Sequence, residues 1–486
     1  MEKRSFSLLT DFYQLTMMQG YFETRRHQHR AVFDMFYREN PSGNGFAIMA
    51  GLEQLMDYID ELSFSEEDLN YLRGQGIFSE DFLGYLANFR FTGHIDAIPE
   101  GTVVFPGEPL VTVTAPIIEA QLIETALLNI INHQCLIATK AARVCHAARG
   151  DAVLEFGLRR AQGPDAGIYG ARAAMIGGCA ATSNVLAGKM FDVPIRGTHA
   201  HSWIMSFDSE IEAFRAYAAS FPERCTLLVD TYDTLNSGVP NAIRVFEEML
   251  GRGFKFVNYG IRLDSGDFAY LSKEARKMLD AAGFKDATIT VSCDLDEEIV
   301  QSLKLQGAKI DTWGVGTRMI TAWDCPAFGG VYKLVAMENE NGEIVPKIKV
   351  SDNPEKVTNP GVKKIYRIYD KEHGKIKADL ITLADENLDE TKELTLFDPK
   401  APWRRMVLPP GEYFAHQLLT PIFRDGARVY ASPTLMEIRK YCNDQQNSLW
   451  EEHRRLINPH IMPVDLSLSL FDLKQEMIYD ARASSR

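Results

Sequence analysis

The sequence predicts an α/β protein built on an irregular, incomplete (β/α) barrel, with a smaller β-rich α+β domain formed from both chain ends. Three observations predict this fold. Between residues 152 and 337, short apolar runs alternate with helix-like segments. The runs that begin at 225, 254 and 287 lie about 30 residues apart, the length of a strand–helix unit. On either side, short alternating runs are separated by turn residues instead.

The change of pattern places the predicted barrel domain at 119–337 and the β-rich domain at 1–118 plus 338–486. Within the β-rich domain, residues 91–116 have the turn dipeptides of a small antiparallel β unit, and the residues after 338 predict surface hairpins. Apolar residues at helical spacing predict helices in the segments 8–22, 119–148 and 432–456.

Polar, charged or glycine-rich residues follow every apolar run of the middle region. The runs interpreted as barrel strands are 152–156, 193–195, 225–229, 254–263, 287–292, 310–315 and, as a seventh candidate, 331–337. In a barrel, the residues that follow the strands gather at one rim, where active sites are built, whereas a doubly wound sheet concentrates its chemistry at the switch point. Polar tails after each run therefore favour the barrel.

The composition limits the classes of partner. The chain has 52 Lys and Arg against 66 Asp and Glu, a net charge of −14, which argues against broad nucleic-acid binding but allows a local pocket for a phosphorylated small molecule. Seven scattered cysteines without a CxxC pair favour a reducing cytoplasm. No stretch approaches the roughly 18 apolar residues of a membrane span, so no membrane partner is expected.

The stretch GTHAHSW, residues 197–203, places two histidines after an apolar run. Such a pair can hold a divalent metal in a barrel hydrolase, with further histidines from later strands. No histidine lies between 225 and 320, so a histidine-rich metal site is poorly supported. Two interpretations remain open from this stretch alone: both histidines are buried and hydrogen-bonded, or one acts as a base, an acid or a nucleophile.

Charged residues follow other runs as well. Arg159 and Arg160 offer guanidinium groups that match carboxylate or phosphate, although adjacent arginines are also common on solvated turns. Arg262 and Asp264 would cost desolvation energy in a barrel mouth unless a ligand or ion satisfied them. Asp267 stands where a helix begins, and an acidic residue there is often only a cap.

The run 310–315 contains Gly314 near its end and is followed by Gly316 and Thr317, and the backbone N–H groups of these residues stand where barrels commonly bind a phosphate. Asp294 precedes this segment and Arg318 adjoins it. Arginines, carboxylates, an anion nest and a nucleophilic histidine at one rim suit a polyphosphorylated substrate, with Mg²⁺ bridging it to carboxylates. From the residues alone, the inference ends at an enzyme that handles a phosphorylated substrate.

A set of motifs between residues 10 and 467 resembles the nicotinate phosphoribosyltransferase family. The motifs are, in order, TDFYQLTM, EFGLRRAQ, RGTHAHSW, LLVDTYDT, IRLDSGD, SCDLDEE, GVGTR, GGVYKLV and NPHIMPVDLS. The resemblance implies a two-domain type II phosphoribosyltransferase that forms nicotinate mononucleotide and pyrophosphate from nicotinate and phosphoribosyl pyrophosphate, in NAD biosynthesis and salvage. It also implies coupling to ATP hydrolysis, Mg²⁺ as cofactor, and a homodimer with shared active sites.

The resemblance assigns roles by motif position. His201 is the residue that ATP would transiently phosphorylate, and His199 would be a neighbour. The residues assigned to nicotinate are Tyr13, Phe156, Arg159, Thr198 and Arg262. Those assigned to the phosphoribosyl phosphate are Gly314, Gly316 and Thr317. Asp230, Asp264 and Asp294 are assigned as catalytic carboxylates that orient the ribose hydroxyls or reach the Mg²⁺ of the pyrophosphate.

The resemblance also predicts a substrate preference. Asn184 matches the position where the related nicotinamide enzymes place an aspartate facing the amide. A carboxylate would repel nicotinate and an asparagine would tolerate it, so we expect a preference for the acid. Two alternatives to the transferase are kept: a quinolinate-type relative, which would decarboxylate its substrate, and a non-catalytic binding protein on the same scaffold.

Overall fold

The chain folds as two units in the computed structural model, which describes residues 5–353 and 356–483. The first unit contains the described residues of Met1–Leu136 and Ala327–Arg486, and the second is Ile137–Pro326. The sequence had placed the two boundaries at 118/119 and 337/338. The second boundary moves because the strand Gly330–Glu338, offered as a seventh barrel strand, instead pairs antiparallel with Arg30–Tyr37 in the first unit.

The N-terminal part of the chain supplies helices and antiparallel strands. They are α1 (Phe12–Glu23), β1 (Arg30–Tyr37), β2 (Ala47–Ile48), α2 (Leu52–Glu61), α3 (Glu66–Gly74), α4 (Glu80–Ala87), β3 (His94–Ala97), β4 (Val103–Val104), β5 (Val111–Pro116), α5 (Ile117–Leu122) and α6 (Glu124–Ala148). The predicted helix in 8–22 is observed as α1. The predicted helix 119–148 is observed as α5 and α6, with a break at Ile123.

The second unit alternates strands and helices, as predicted. Its elements are β6 (Ala152–Glu155), α7 (Pro164–Ile176), β7 (Ala181–Thr182), α8 (Val185–Phe191), α9 (His201–Met205), α10 (Glu210–Ser220), β8 (Arg224–Leu228), α11 (Val239–Gly251), β9 (Asn258–Leu263), α12 (Phe268–Ala281), β10 (Thr288–Cys293), α13 (Glu297–Leu305), β11 (Thr312–Val315) and α14 (Thr317–Ile320). The short helices Leu158–Arg160 and Thr234–Gly238 lie between them.

The strands of the second unit form one parallel sheet in the order β7-β6-β11-β10-β9-β8. In a closed barrel the first strand pairs with the last, and here β6 pairs with β11. The edge strands β7 and β8 are not paired with each other, so the sheet is open between them. The prediction of an irregular, incomplete barrel is therefore confirmed.

Two predicted barrel strands differ from the structure. The segment 193–195 makes only a single bridge, between Thr182 and Ile195. Pro194 lacks a backbone N–H, so it cannot donate to a strand ladder. The strand predicted at 254–263 is confined to β9, and β7 was not foreseen because only two residues pair there.

The C-terminal part returns to the first unit. Its elements are β12 (Gly330–Glu338), β13 (Ile344–Pro346), β14 (Lys363–Asp370), β15 (Ile376–Leu383), β16 (Leu394–Phe397), β17 (Arg405–Leu408), β18 (Tyr413–Gln417), β19 (Thr420–Arg424), β20 (Ala427–Arg428), α15 (Leu435–Asn447), β21 (Val464–Leu466) and α16 (Leu468–Ala483). The predicted helix in 432–456 is observed as α15, which begins with a capping box between Thr434 and Glu437.

Both chain ends build the large sheet of the first unit, in the order β13-β12-β1-β5-β3-β19-β20. A second sheet, β18-β14-β15-β21, comes from the C-terminal part alone, and its residues Ile368, Ala378 and Leu380 form a buried apolar cluster with Leu396. The prediction of a β-rich domain assembled from both ends is confirmed. Among the helices of the described ranges, none is long and apolar enough to cross a bilayer.

Candidate active site

The carboxyl ends of β8, β9 and β10 carry a connected group of polar side chains in the second unit. Arg262 lies on β9, Asp264 follows β9 directly, and Ser292 lies near the end of β10. His201 is the first residue of α9. Because the strands are parallel, their carboxyl ends meet at one edge, and residues far apart in sequence become neighbours.

His201 is held from both sides of its ring. Its Nδ1 lies 3.1 Å from the hydroxyl oxygen of Thr231, and its Nε2 lies 3.6 Å from a carboxylate oxygen of Asp264. The side chain remains 38% exposed. An imidazole oriented by a hydroxyl and a carboxylate, and open to solvent, has the arrangement of a positioned nucleophile or base.

His199 has a different environment from His201. It is buried, its Nε2 accepts a hydrogen bond of 3.3 Å from the backbone N–H of Leu228, and its ring lies 4.5 Å from that of Tyr217. Burial lowers the pKa of His199 to about 4, so the ring is neutral at pH 7. Leu228 belongs to β8, the open edge strand, so His199 attaches the 197–203 segment to that edge. The buried interpretation thus holds for one histidine of the pair.

Arg262 is the centre of the group. Its Nε donates to the hydroxyl of Ser292 at 2.7 Å, one Nη donates to the hydroxyl of Thr198 at 2.9 Å, and the other donates to Asp264 at 2.8 Å. The side chain is only 16% exposed. The sequence suggested that Arg262 and Asp264 would need an outside ligand, but the protein itself neutralises this charge.

Asp264 has a lowered pKa although it is partly buried. Burial raises its pKa, but the hydrogen bond from Ser292 and the charge of Arg262 outweigh burial, and the pKa lies below its usual range. The backbone N–H of Asp264 donates to Asp230 at 2.8 Å, and Ser265 donates to the same oxygen at 2.7 Å. Asp230 therefore shapes the turn that carries Asp264.

Phe156 and two glycines line the same edge. The Phe156 ring lies 6.0 Å from the guanidinium carbon of Arg262. A Cβ added at Gly314 would lie 2.7 Å from the Phe156 ring, and one added at Gly316 would lie 3.1 Å from the Phe156 carbonyl oxygen. The glycines are needed for this close approach, which places an aromatic face beside the cation.

Models of known protein families match three successive parts of the chain. The nicotinate phosphoribosyltransferase N-terminal domain matches residues 8–132, the nicotinate phosphoribosyltransferase family matches 152–377, and the corresponding C-terminal domain matches 362–474. The chain is 48% identical to nicotinate phosphoribosyltransferase of Bacillus subtilis (strain 168) over 479 residues, covering 99% of this chain and 96% of the relative.

The chain belongs to the nicotinate phosphoribosyltransferase family. A relative from Mycobacterium tuberculosis with the same name is 42% identical and covers 93% of this chain and 89% of its own length. The crystal structure of human nicotinic acid phosphoribosyltransferase superposes with a TM-score of 0.83 at 30% identity, covering 96% of this chain and 99% of that chain. The resemblance stated from the motifs is confirmed, and the protein is an enzyme of this family.

Other residues that the family motifs singled out are not part of the hydrogen-bonded group around Arg262 within the described ranges. Asp294 and Arg159 are exposed, and within the described residues no hydrogen bond joins either to it. Thr317 is the first residue of α14, directly after Gly316. Tyr13 lies on α1 of the first unit, with 48% of its surface exposed. The roles assigned to these four residues stay predictions.

Asn184 and Asp267 both cap helices. The Asn184 side chain accepts from the N–H of Ala187 and donates to the carbonyl of Gly167, each at 3.1 Å. An aspartate there would keep the cap but lose the donor, so the neutral amide also fits the local structure. Asp267 accepts from the N–H of Tyr270 at 3.0 Å, which confirms the capping interpretation.

Sequence reasoning missed Thr231 and Ser292, the two hydroxyl residues that contact His201, Arg262 and Asp264. Both lie inside quoted motifs, LLVDTYDT and SCDLDEE, beside residues that were chosen. The available signal was the two-residue period of a strand, which puts Ser292 on the same face as Thr290, the partner of Arg262 in the sheet register. That register is known only once the strands are paired.

Proposed function

We propose that the protein transfers the phosphoribosyl group from phosphoribosyl pyrophosphate to nicotinate, forming nicotinate mononucleotide and pyrophosphate for NAD biosynthesis and salvage. The names of the relatives support the reaction, and one geometric observation supports its location. Arg262 lies beside the face of Phe156 and is bonded to Asp264, whose second oxygen faces His201. A binding group for an aromatic acid and an oriented imidazole thus share one edge of the sheet.

Nicotinate would bind through its ring and its carboxylate. Phe156 offers an aromatic face, and Arg262 offers a positive charge and an N–H donor for the carboxylate. Thr198, which already accepts from Arg262, would help to fix the acid, and exposed Arg159 would add positive charge.

The phosphoribosyl phosphate would bind at the end of β11. Gly314, Gly316 and Thr317 lead into α14, and the backbone N–H groups that precede its first internal hydrogen bond, from Met319 to the carbonyl of Gly316, would face the phosphate. In the transfer step, the bond from the anomeric carbon to the pyrophosphate oxygen breaks as the pyridine nitrogen bonds to that carbon. The enzyme mostly positions the reactants and stabilises the leaving group.

The carboxylates divide into two kinds. Asp264 would contact the ribose hydroxyls, whereas Asp230 acts through the turn, since one of its oxygens is engaged there and the other is buried without a partner among the described residues. In those residues, no group of three or more Asp, Glu, His or Cys side chains is arranged to hold a metal. Mg²⁺ commonly binds through one or two carboxylates plus substrate phosphates, which fits exposed Asp294. When bound, Mg²⁺ would neutralise charge on the pyrophosphate.

ATP would phosphorylate His201. A ring nitrogen attacks the γ-phosphorus, the bond to the bridging oxygen breaks and ADP leaves; water later releases phosphate and restores the imidazole. The phosphate adds about −1.5 to −2 charges near the reactants and so reorganises the pocket. The exposure of His201 and its contacts with Thr231 and Asp264 support this role.

Mass spectrometry of the products tests the function. Purified protein is mixed with nicotinate, phosphoribosyl pyrophosphate and Mg²⁺, with and without ATP, and quinolinate replaces nicotinate in a parallel arm. We expect nicotinate mononucleotide, stimulation by ATP, and labelling of wild type and His199→Gln by γ-labelled ATP. His201→Asn should lose both label and stimulation. ATP-stimulated turnover of His201→Asn equal to wild type would refute the phosphohistidine, and product from quinolinate alone would refute the substrate.

The location and the assembly are proposals of the same kind. We propose a cytoplasmic homodimer with shared active sites. All seven cysteines lie in the described ranges and none forms a disulfide, which supports a reducing compartment. The dimer is supported by the family resemblance, and light scattering coupled to size-exclusion chromatography tests it: a monomer mass at micromolar concentration would contradict it.

A further inference from the structure

Ser292 lies on β10, beside the charged pair that Arg262 and Asp264 form on and directly after the neighbouring strand β9. It is 4% exposed, and its hydroxyl contacts both the Nε of Arg262, at 2.7 Å, and a carboxylate oxygen of Asp264. A hydroxyl carries a single hydrogen. The guanidinium must donate, so Ser292 accepts from Arg262 and donates to Asp264. The direction of both hydrogen bonds is therefore fixed.

The position of Ser292 is also fixed by packing. Thr290 pairs with Arg262 in the register of β10 with β9, and Ser292 is two residues further along β10. On its other side lies Gly314, where an added Cβ would come within 3.1 Å of the Ser292 Cβ. A side chain at position 314 would therefore push against Ser292, and the glycine lets β11 pack beside it without displacing the hydroxyl from the charged pair.

These contacts determine which carboxylate oxygen of Asp264 can interact with other groups. One carboxylate oxygen takes bonds from both Ser292 and Arg262, and the other faces Nε2 of His201 at 3.6 Å. The groups around Asp264 that can carry a charge are Arg262 on β9, His201 on α9 and the carboxylate of Asp230 after β8. Ser292 is the neutral group among them that touches both members of the pair.

The contacts also limit how Arg262 meets a ligand. Its Nε is taken by Ser292 and one Nη by Thr198 and the carbonyl of His199. Within the described residues, a single N–H of the other Nη, which also bonds Asp264, is left for a carboxylate. Rotation of the guanidinium by a few tens of degrees would redirect that donor.

We propose that Ser292 is a positioning residue, whose hydroxyl holds Arg262 toward the carboxylate of nicotinate and Asp264 toward His201 at the same time. The inference rests on the proposed function, because it assigns a task within that reaction. It differs from a general packing role in one respect: loss of the hydroxyl should change the ionisation of Asp264 as well as the binding of nicotinate.

The test compares Ser292→Ala with two other variants. Ser272→Ala removes a buried hydroxyl on α12 that accepts from the N–H of Lys309, at the opposite ends of the strands. Thr198→Ala removes a contact of Arg262 that does not touch Asp264. The pH dependence of kcat/KM for nicotinate is measured for each, together with KM and the melting temperature.

We expect Ser292→Ala to raise KM about 10-fold and to move the acidic limb of the profile upward by about one pH unit. The sign follows because Ser292 helps to lower the pKa of Asp264, so its loss lets the carboxylate protonate at higher pH. Thr198→Ala should raise KM without moving the limb. Ser272→Ala should move neither, although its melting temperature falls.

An acidic limb of Ser292→Ala that coincides with that of wild type would overturn the proposal, as would an equal shift in Thr198→Ala. Ser292→Cys keeps the shape with a weaker donor and should give a smaller shift in the same direction, so it decides the matter if the alanine variant does not fold. If wild type and Ser272→Ala make no nicotinate mononucleotide, the proposed function fails instead, and the two failures are distinguished.

Discussion

Two arginine–aspartate pairs, one in each unit, have the same chemistry and opposite surroundings. In the first unit, Arg367 bonds Asp379 at 2.9 and 2.6 Å, with both side chains fully buried. In the second unit, Arg262 bonds Asp264 at 2.8 Å, with 16% and 28% of their side-chain surface exposed.

The difference lies in what completes each pair. Arg367 is also bonded to Gln445 at 3.0 Å and lies 5.2 Å from the Phe105 ring, so its guanidinium is surrounded by protein groups. The pair of the second unit is instead partly open and adjoins His201. Removing one partner of a fully buried charge pair leaves an unpaired charge in the interior and strongly destabilises the fold. A partly exposed pair can still form bonds with a ligand.

The largest effect is expected from breaking the closed pair. Arg367→Met leaves the Asp379 carboxylate buried and unpaired, and should lower the free energy of unfolding by about 3–5 kcal/mol. Urea unfolding, followed with probes in the first unit, measures the loss. The double variant Arg367→Met with Asp379→Leu should recover most of it. A single variant as stable as wild type would contradict the contrast.

Breaking the open pair of Arg262 and Asp264 should lower activity strongly and stability only a little. Arg262→Gln should lower kcat/KM for nicotinate about 100-fold, or ~2.7 kcal/mol, because the acid loses its cation. Its unfolding free energy should change by less than ~1 kcal/mol, because the pair is partly exposed. The control is Arg276→Gln, whose guanidinium bonds the carbonyls of Phe284 and Ala287; it should lose stability and keep its activity.

A similar contrast, between buried His199 and exposed His201, predicts how the stability of the fold depends on pH. The folded pKa of His199, about 4, is depressed by burial below the usual 6.5, so the unfolded state binds the extra proton between these values. The stability that His199 contributes is present above pH 6.5 and is lost toward pH 4, by up to ~1.4 kcal/mol per pH unit. His199→Gln should flatten the slope in unfolding measurements from pH 4 to 7. An unchanged slope would exclude a neutral, buried His199.

The smallest effect is expected from removing the carboxylate of Asp267, which lies three residues after Asp264. Asp267→Ala should cost about 1 kcal/mol of unfolding free energy through the lost cap of α12, with kcat within about twofold of wild type. Asp264→Asn, three residues earlier, should lower kcat much more and stability little. Steady-state kinetics beside thermal unfolding separate the two, and a large loss of kcat in Asp267→Ala would show that the cap is also part of the site.

Much of the site was predictable, from two sources. Arg262 and Asp264 were chosen because they stand at a strand end, whereas Thr198, Phe156 and the choice of His201 over His199 came from the resemblance of the motifs to the family. The structure brings these residues together. The hydroxyls of Thr231 and Ser292 were missed because a serine or threonine carries no signal of its role until its neighbours across the sheet are known.

The sequence by itself determined the alternation of strands and helices, the β-rich segments at both ends, and the motifs that identify the family, because these depend on local periodicity and residue type. Only the tertiary structure decided that β12 leaves the barrel for the sheet of the first unit, and that His199 is buried while His201 is open. It also decided which carboxylate caps a helix and which faces an imidazole. The reason is that strand pairing and burial arise between segments far apart in the chain, where neither periodicity nor residue type specifies the partner.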